Sequence, residues 1–295
     1  HAESRRQRQM CIRDSYKSIW MDDGSPLRVY SQRVTDNLRS INHDVDFEFA
    51  MRYGNPSIRS GLEALKQRGV TDLLLLPMFP HYAQATTESS LKHAHLQLKA
   101  MNWSPNLLEM GHFETAEEFI GPLSESIRPH LTEDTHLLFS YHGLPVSHVK
   151  RIDRSKTHCQ TVEACCTVKC EANSLCYGRH CNETTMAVVE RLGLKPDQWS
   201  LSYQSRLGPV KWLEPSTTQM VEALVKKGVK KLAIVAPAFL ADGLETLEEL
   251  DIGIREEFME HGGTELKVIN CLNDDEQWVR GLEQLIAKEF EQAVA

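Results

Sequence analysis

Six cysteines crowd into one short segment and form the most reactive group of side chains in the sequence. Their pattern is Cys159-x5-Cys165-Cys166-x3-Cys170-x5-Cys176-x4-Cys181. Disulfides that stabilise a chain of 295 residues would be spread along it, so this single segment is a poor framework of that kind. In a cytoplasmic protein such crowding favours a metal site over disulfides. Four thiolates can hold either zinc or a [2Fe-2S] cluster, and their spacing does not decide between the two.

A histidine and a row of carboxylates form a second candidate site. His142 directly follows an apolar strand and precedes a Gly-Leu-Pro turn. Asp242, Glu245 and Glu249 open a later helix, where spacings of three and four place them on one face. A neutral imidazole accepts protons near pH 7, and carboxylates bind hard or borderline divalent metals. The alternatives are a structural histidine at a strand end and acidic residues that only stabilise a helix N-terminus.

Two loops rich in aromatic and hydroxyl side chains form the third candidate feature. They are residues 82–90 and residues 203–212, the second of which also carries Arg206, Lys211 and Trp212. This mixture suits a flat, amphipathic ligand with anionic groups. The alternative is an ordinary turn in which Trp212 packs into the core.

Short apolar runs alternate with longer stretches of helical period, an order that indicates parallel strands joined by helices. The predicted strands are residues 46–53, 72–77, 107–112, 135–141, 199–204, 231–236 and 265–270. The predicted helices are residues 27–41, 57–68, 87–100, 115–130, 183–192, 216–227, 244–261 and 274–293. In such open sheets a site forms at the carboxyl ends of the strands, where the winding reverses, and this rule selects residues 52–53, 77–90, 140–143 and 237–251.

The chain divides into two similar series of elements, so the fold class predicted is α/β, with two doubly wound, Rossmann-like parallel-sheet domains. The predicted domains are residues 1–132, residues 133–273 with a cysteine-rich insertion at 155–182, and a C-terminal helix at 274–295. The first series has three strands where the second has four, so we expect that its first strand is missing. Residues 1–15 stand there instead and are either foreign to the natural protein or a solvated helix.

Composition excludes several classes of protein. The chain is 41% hydrophobic and 25% charged, which rules out disorder and coiled coil. Its net charge of −8 argues against a nucleic-acid partner, which would need clustered Lys and Arg. The longest apolar runs fall far short of the roughly 20 residues that span a bilayer, and we see no signal peptide. We therefore expect a soluble, cytoplasmic protein.

Three strings of residues are similar to signatures of the ferrochelatase family. They are SYHGLP at 140–145, YQSRLGPVKWL at 203–213 and DGLETLEE at 242–249. Similarity also covers residues 16–27, 52–53, 80–90 and 271–273, so it spans nearly the whole chain after about residue 16. The resemblance implies a chelatase-like fold and an enzyme that inserts ferrous iron into a porphyrin, with release of two protons, in haem synthesis.

The resemblance also implies roles for individual residues. His142 matches the family's active-site histidine, which accepts pyrrole protons or binds the incoming metal, and Glu245 matches the carboxylate opposite it. Asp242 and Glu249 match an acidic line that leads away from the centre and would also bind metal. The residues that match the porphyrin environment are Tyr16, Arg52, Tyr53 and Trp212.

Some ferrochelatases carry a [2Fe-2S] cluster, so the resemblance favours iron and sulfur over zinc in the cysteine segment. The expected ligands are Cys159, Cys166, Cys176 and Cys181. Cys165 is the chief rival as a ligand, and Cys170 is spare.

Two departures from the family pattern stand out. The family begins with a strand and a turn of the Asn-Leu-Gly type that we do not find here, so we expect an N-terminally truncated chain. Gly243 stands where relatives often have His or Cys.

Several alternatives stay open at this point. Protoporphyrin IX and coproporphyrin III are both candidate substrates. Another tetrapyrrole chelatase, for cobalt or nickel, and a non-catalytic iron–sulfur sensor are the competing functions. Homodimerisation and peripheral contact with the inner membrane are undecided.

Overall fold

The computed structural model describes residues 17–206 and 208–294 and has an α/β fold built on parallel strands. Its strands are β1 (Asp72–Leu75), β2 (Asn106–Glu109), β3 (Thr135–His142), β4 (Trp199–Gln204), β5 (Lys231–Val235) and β6 (Glu265–Val268). They form a two-stranded sheet, β1-β2, and a four-stranded sheet in the order β4-β3-β5-β6. Every strand pair in both sheets is parallel, so the predicted α/β class is confirmed.

Helices connect the strands. The α-helices are α1 (Pro26–Ile41), α2 (Ile58–Gln67), α3 (Ser89–Ala100), α4 (Glu117–Ile127), α5 (Val146–Ile152), α6 (Tyr177–Leu192), α7 (Thr217–Lys226), α8 (Arg255–Glu260) and α9 (Glu276–Val294). Two π-helices, Gln84–Glu88 and Glu245–Ile254, lead into α3 and α8. Short 3-10 turns lie at Arg128–His130 and Glu171–Asn173. No helix among these described residues is long and apolar enough to cross a membrane.

Several sequence-based predictions differ from the structure, among them the helix predicted from residue 244, which begins as a π-helix. Residues 46–50 form no strand, and Met51 makes only an isolated bridge to Ser57. The carbonyl of Phe47 instead accepts two hydrogen bonds from the Arg39 guanidinium, which takes the place of a strand partner. Helix α5 was not predicted, and α6 begins at Tyr177 rather than at residue 183, because the cysteine-rich sequence before it has no apolar period.

Strand β3 lies at the centre of the larger sheet and is buried along almost its whole length. Leu137 and Phe139 pack into one hydrophobic cluster, whereas Leu138 packs into a second one with Ile234 of β5. A parallel strand that is covered on both faces is held rigidly. The carboxyl end of β3 is therefore a firm base for His142.

The C-terminal helix α9 packs against α4 of the first half. A Cβ at Gly281 would lie 2.4 Å from the carbonyl oxygen of Glu118. The two helix backbones therefore approach each other closely at Gly281, where any side chain would clash. Trp278 of α9 is fully buried there. The predicted domain boundaries at residues 132 and 273 stay predictions.

Candidate active site and cysteine cradle

His142 is the last residue of β3 and pairs in register with Gln204, the last residue of β4. Its Nδ1 lies 2.7 Å from the carbonyl oxygen of Gly143. A carbonyl can only accept, so Nδ1 carries a proton, and in the neutral imidazole Nε2 then keeps its lone pair. The half-buried ring can therefore accept a proton or bind a metal through Nε2. Phe239, which follows β5, lies 6.1 Å away between ring centroids, so β5 ends at the same edge of the sheet.

Glu245 is the first residue of the second π-helix and is half-buried. Within residues 17–206 and 208–294, nothing donates a hydrogen bond to its carboxylate. A carboxylate without a partner keeps all its lone pairs for a proton or a metal ion. Glu245 is therefore placed as an available acid or base.

Asp242 differs from Glu245, because its carboxylate is fully occupied. Its Oδ2 accepts a 2.6 Å hydrogen bond from Nδ2 of Asn273, and its Oδ1 accepts from Thr246 Oγ1 at 2.9 Å and from the Cys271 N–H at 3.2 Å. The side chain of Asn273 also accepts a 2.8 Å bond from the backbone N–H of Asp242. Only 3% of Asp242 is exposed. These contacts make Asp242 an anchor for the turn before Glu245.

Glu249 is also engaged, since it binds the loop after β4. Its two carboxylate oxygens accept hydrogen bonds from the backbone N–H and the hydroxyl of Ser205, at 2.8 and 2.7 Å. A π-helix closes its hydrogen bonds five residues apart, so each turn takes more residues than in an α-helix, and residues four apart nearly align. Glu245 and Glu249 therefore follow one line along the helix, while Asp242 lies before its start.

The residues predicted for the porphyrin cleft carry unpaired donors. The Arg52 guanidinium lies 4.6 Å from the ring centroid of Tyr53, whose side chain is 79% exposed. Five buried side-chain N–H groups have no partner in the described chain; Arg52 Nε, Gln204 Nε2 and Trp212 Nε1 belong to the predicted cleft segments, whereas Arg179 Nε and Trp278 Nε1 do not. Buried donors are normally satisfied, so unpaired ones point to a missing acceptor. Tyr16 lies outside the described residues.

Gly143 allows two of these elements to approach each other. A Cβ at this position would lie 2.7 Å from the Gln204 carbonyl oxygen and 3.3 Å from Cε3 of Trp212. The Gly143 N–H donates to that same carbonyl at 2.8 Å. The turn after His142 therefore packs directly on the end of β4.

Four cysteines converge at the N-terminus of α6, and we name Cys159, Cys165, Cys166 and Cys176 the cysteine cradle. A hydrogen bond from the Cys166 thiol, together with backbone N–H groups of the first turn of α6, lowers the pKa of Cys176 to about 6 although burial opposes it. The partnership with Cys176 raises the pKa of Cys166, while burial first and Cys176 second raise that of Cys159. Cys165 Sγ lies 3.9 Å from Cys166 Sγ.

The other two cysteines of the segment lie apart from the cradle. Cys181 is fully buried in the main hydrophobic cluster, five residues further along α6, where burial raises its pKa well above the usual range. Tyr177 beside it partly opposes that rise in pKa. Cys170 Sγ lies 3.5 Å from Nε2 of His158. The expected set is thus only partly brought together, because Cys165 stands nearer to the cradle thiols than Cys181 does.

The structure also places His112, Glu114 and His180 together, with potential metal-ligand atoms all within 4.8 Å of one another. Sequence reasoning missed this group because it combines the end of the first half with α6. Burial opposes it, but the 2.6 Å hydrogen bond from His112 and the nearby His180 lower the pKa of Glu114 to about 2.

The hydrogen bonds of His180 do not suit a metal ligand. A metal-binding histidine usually donates the N–H of its second ring nitrogen. Nδ1 of His180 instead accepts a 3.2 Å bond from the Tyr82 N–H, and its Nε2 lies 2.9 Å from the Ser174 carbonyl, to which it must donate. His180 is thus a neutral residue that joins the first half to the cysteine segment.

Comparisons with known proteins identify the family of the chain. The family model described as ferrochelatase matches residues 4–290. The ferrochelatase of Bdellovibrio bacteriovorus is 39% identical over 276 residues, which cover 92% of this chain and 81% of the relative. The ferrochelatase of Pseudomonas syringae pv. syringae is 39% identical over 272 residues, which cover 92% of this chain and 80% of the relative.

Solved structures show the same fold at low sequence identity. SirB from Bacillus subtilis with Fe3+ aligns with a TM-score of 0.60 and 13% identity, over 90% of this chain and 92% of SirB. The sirohydrochlorin chelatase SirB from Bacillus subtilis subspecies spizizenii, in complex with cobalt, aligns with a TM-score of 0.59 and 11% identity, over 91% and 92% of the two chains. The chelatase-like fold is therefore confirmed. Since the family match covers nearly the whole sequence and the relatives are 39% identical to it over the aligned residues, the chain belongs to the ferrochelatase family.

Proposed function

We propose that this protein inserts ferrous iron into a porphyrin, either protoporphyrin IX or coproporphyrin III, and releases two protons. The observation that carries the proposal is the pairing of chemically available groups near one sheet edge. His142 has a free Nε2 lone pair, and the Glu245 carboxylate has no partner among the described residues. Family membership supports the same reaction.

The two groups divide the work that the reaction requires. A planar porphyrin must lose both pyrrole protons before iron can bind its four nitrogens. His142 Nε2 accepts protons, and Glu245 binds the iron or accepts the second proton. The ring of His142 is fixed by its Nδ1–H bond to Gly143, so it needs little reorganisation during the transfer.

The unpaired donors of Arg52 and Trp212 support a binding site for the macrocycle beside them. Arg52 and Trp212 carry buried N–H groups that would pair with acceptors on the substrate, and the exposed Tyr53 ring offers an apolar face. A porphyrin combines such an apolar plane with carboxylate substituents. We therefore propose Arg52, Tyr53 and Trp212 as substrate-binding residues, and Tyr16 keeps this role on the basis of the resemblance.

An anaerobic insertion assay with Fe2+ and each porphyrin tests the proposed reaction. The His142→Ala variant should lose at least about a hundredfold in kcat, because general acid–base groups contribute about that much or more. His261→Ala, at the exposed end of α8, is the matched control and should retain full activity. Wild-type activity with cobalt or nickel but not iron would favour another tetrapyrrole chelatase. No insertion of any metal by cluster-loaded protein would favour a non-catalytic sensor.

We further propose that the cysteine cradle holds a [2Fe-2S] cluster. Four sulfurs meet at a helix N-terminus, and the low pKa of Cys176 provides a thiolate near neutral pH. The 3.9 Å between the sulfurs of Cys165 and Cys166 is close to the roughly 3.8 Å expected for two sulfurs on one tetrahedral metal. The cradle thus supplies the negative, sulfur-rich surroundings that such a cluster needs.

The surrounding loop is ordered by its own hydrogen bonds. The Asp153 carboxylate accepts the backbone N–H groups of His158 and Cys159, each at 2.9 Å. The side chain of Asn173 donates to the carbonyls of Cys165 and Val168 at 2.9 and 2.8 Å. These contacts order the loop around Cys159 and Cys165. We therefore propose Cys165 as the fourth ligand in place of Cys181.

Paired serine variants test this ligand set. Cys165→Ser should remove most of the visible absorption and acid-labile sulfide of anaerobically purified protein, whereas Cys181→Ser should keep both. Cys271→Ser is a control outside the segment. The opposite result for the two variants would restore Cys181 as the ligand. Bound zinc without sulfide in the wild type would refute the cluster and leave a zinc site. A thiolate-bound cluster also supports the proposal that the protein is cytoplasmic.

A further inference from the structure

Tyr177 connects the cysteine cradle to the peptide of His142. It is the first residue of α6 and directly follows Cys176. Its side chain is only 5% exposed, and its hydroxyl donates a 2.8 Å hydrogen bond to the carbonyl oxygen of His142. A buried, well-formed hydrogen bond of this kind fixes the position of the group that accepts it.

The sheet itself leaves this carbonyl without a strand partner. The peptide between His142 and Gly143 donates its N–H to Gln204 on the β4 side. Because a trans peptide is planar, its C=O points the opposite way. On that side β5 pairs with β3 only as far as Phe139, three residues earlier. The Tyr177 hydroxyl therefore replaces the missing partner at the end of β3.

The first turn of α6 is packed tightly between the cradle and the sheet. A Cβ at Gly178 would lie 3.2 Å from Cys166 Sγ on one side and 3.6 Å from the Tyr203 hydroxyl on the other. The backbone of this turn also donates to Cys176 Sγ. A change in how the cradle sulfurs are held must therefore move the start of α6, and Tyr177 with it.

We infer that Tyr177 is a positioning residue that holds His142 for metal insertion and couples the cysteine cradle to the active site. This inference rests on the proposed function. Tyr177 touches neither substrate nor iron in this role. It acts through the backbone of His142, whose Nδ1 bond to the next carbonyl depends on the same peptide.

The Tyr177→Phe variant tests the positioning role, because it removes only the hydroxyl. We expect kcat for iron insertion to fall about tenfold, KM for porphyrin and iron to stay within about twofold, and the visible circular dichroism and sulfide content to be unchanged. Tyr141→Phe is the matched control. It removes another buried hydroxyl that bonds α6, at Thr185, and should leave kcat within about twofold. Wild-type kcat in Tyr177→Phe, or a loss explained by lost cluster, would overturn the inference.

Hydrogen exchange gives a readout that does not require turnover. The Gly143 amide should exchange about tenfold faster in Tyr177→Phe than in the wild type or in Tyr141→Phe. Removing the metal from the cradle should accelerate exchange in the wild type but add little in Tyr177→Phe, because coupled changes are not additive. Additive effects would refute the coupling, and an unchanged Gly143 amide would refute the positioning role. If no variant inserts iron, exchange still decides the role of Tyr177, while the assay alone rejects the proposed function.

Discussion

The two halves of the molecule contain the same structural corner, in which a parallel strand leads through a loop into a π-helix. In the first corner β1 is followed by Pro77, Phe79 and the π-helix Gln84–Glu88. In the second corner β5 is followed by Pro237, Phe239 and the π-helix Glu245–Ile254. Most π-helices are single turns found at functional sites, and the second one is twice as long as the first.

The side chains at equivalent positions differ in chemistry. Where the second corner has Asp242, Glu245 and Glu249, the first has Tyr82, Ala85 and Ser89. Some polar groups of the first corner bond within it, as the Tyr82 hydroxyl does with Glu88 at 3.0 Å, and others bond α6, as His81 does with Thr184 at 2.9 Å. The second corner leaves Glu245 unpaired among the described residues. The two corners thus share a backbone arrangement, but the second carries carboxylates at three positions where the first carries none.

The largest expected effect is the loss of the unpaired carboxylate from the second corner. Glu245→Gln should lower kcat for iron insertion about a thousandfold, because it removes the proposed acid–base or metal-binding group without changing its shape. The melting temperature should stay within about 1 °C of the wild type, since the carboxylate has no partner to lose in the described chain. An anaerobic assay and thermal unfolding measure both quantities.

Glu256→Gln, on α8 beyond the π-helix, is the control for that change and should be fully active. An active Glu245→Gln enzyme would show that the two corners do not differ in the way described. It would leave His142 as the remaining acid–base group.

The next largest effect is a loss of stability when Asn273, which anchors Asp242 in the second corner, is removed. Asn273→Ala removes two hydrogen bonds from Asp242 and should lower the free energy of unfolding by about 2–3 kcal/mol, because the buried carboxylate loses its partner. Urea unfolding measures the loss. Asn270→Ala, at a nearby exposed position, should cost less than about 0.5 kcal/mol. An equal effect of both variants would contradict the anchoring role.

A fall in pH should lower the free energy of unfolding because His81, in the first corner, is buried in its neutral form. Burial, reinforced by the nearby His180, lowers the pKa of His81 to about 3, so the folded protein resists protonating it. Its contribution to stability is complete above pH 6.5 and is lost as pH falls toward 3, at most about 2 kcal/mol by pH 5. His81→Gln should flatten the dependence of unfolding free energy on pH between 6.5 and 5. Parallel wild-type and variant curves would contradict this assignment.

The smallest expected effect lies in the link between the second corner and β4. Ser205→Ala removes the hydroxyl that donates to Glu249 but keeps the backbone N–H bond. Activity should fall about threefold to fivefold, since one hydrogen bond contributes about 1 kcal/mol. Ser89→Ala, at the equivalent position of Glu249 in the first corner, should change activity less than twofold. Equal losses of activity in the two variants would show that the hydrogen bond between Ser205 and Glu249 has no specific role in activity.

The sequence alone was enough to place those site residues that come directly after a strand. His142 follows a buried strand and the carboxylates follow another, so the rule for parallel sheets was enough to place them at one edge. The π-helix was not predictable, because Leu244, Leu247 and Leu250 have the spacing of an ordinary α-helix.

Contacts between distant segments account for the other differences. Asp242 accepts a hydrogen bond from Asn273, which is 31 residues away, and no local sequence pattern predicts that contact. The fourth cradle cysteine depends on how the segment folds back on the start of α6. Residues 46–50 have the composition of a strand but gain a side-chain partner instead of a neighbouring strand.

Gly143 has a consequence for the evolution of this chain. Its backbone is not in the left-handed region, so its φ angle would tolerate any residue. The space around it would not, because even a methyl group would meet the Gln204 carbonyl and the Trp212 ring. Position 143 should therefore be intolerant of substitution in a saturation library. Gly208, with open space around it and a positive φ, should accept Asn more readily than Gly143 accepts Ala.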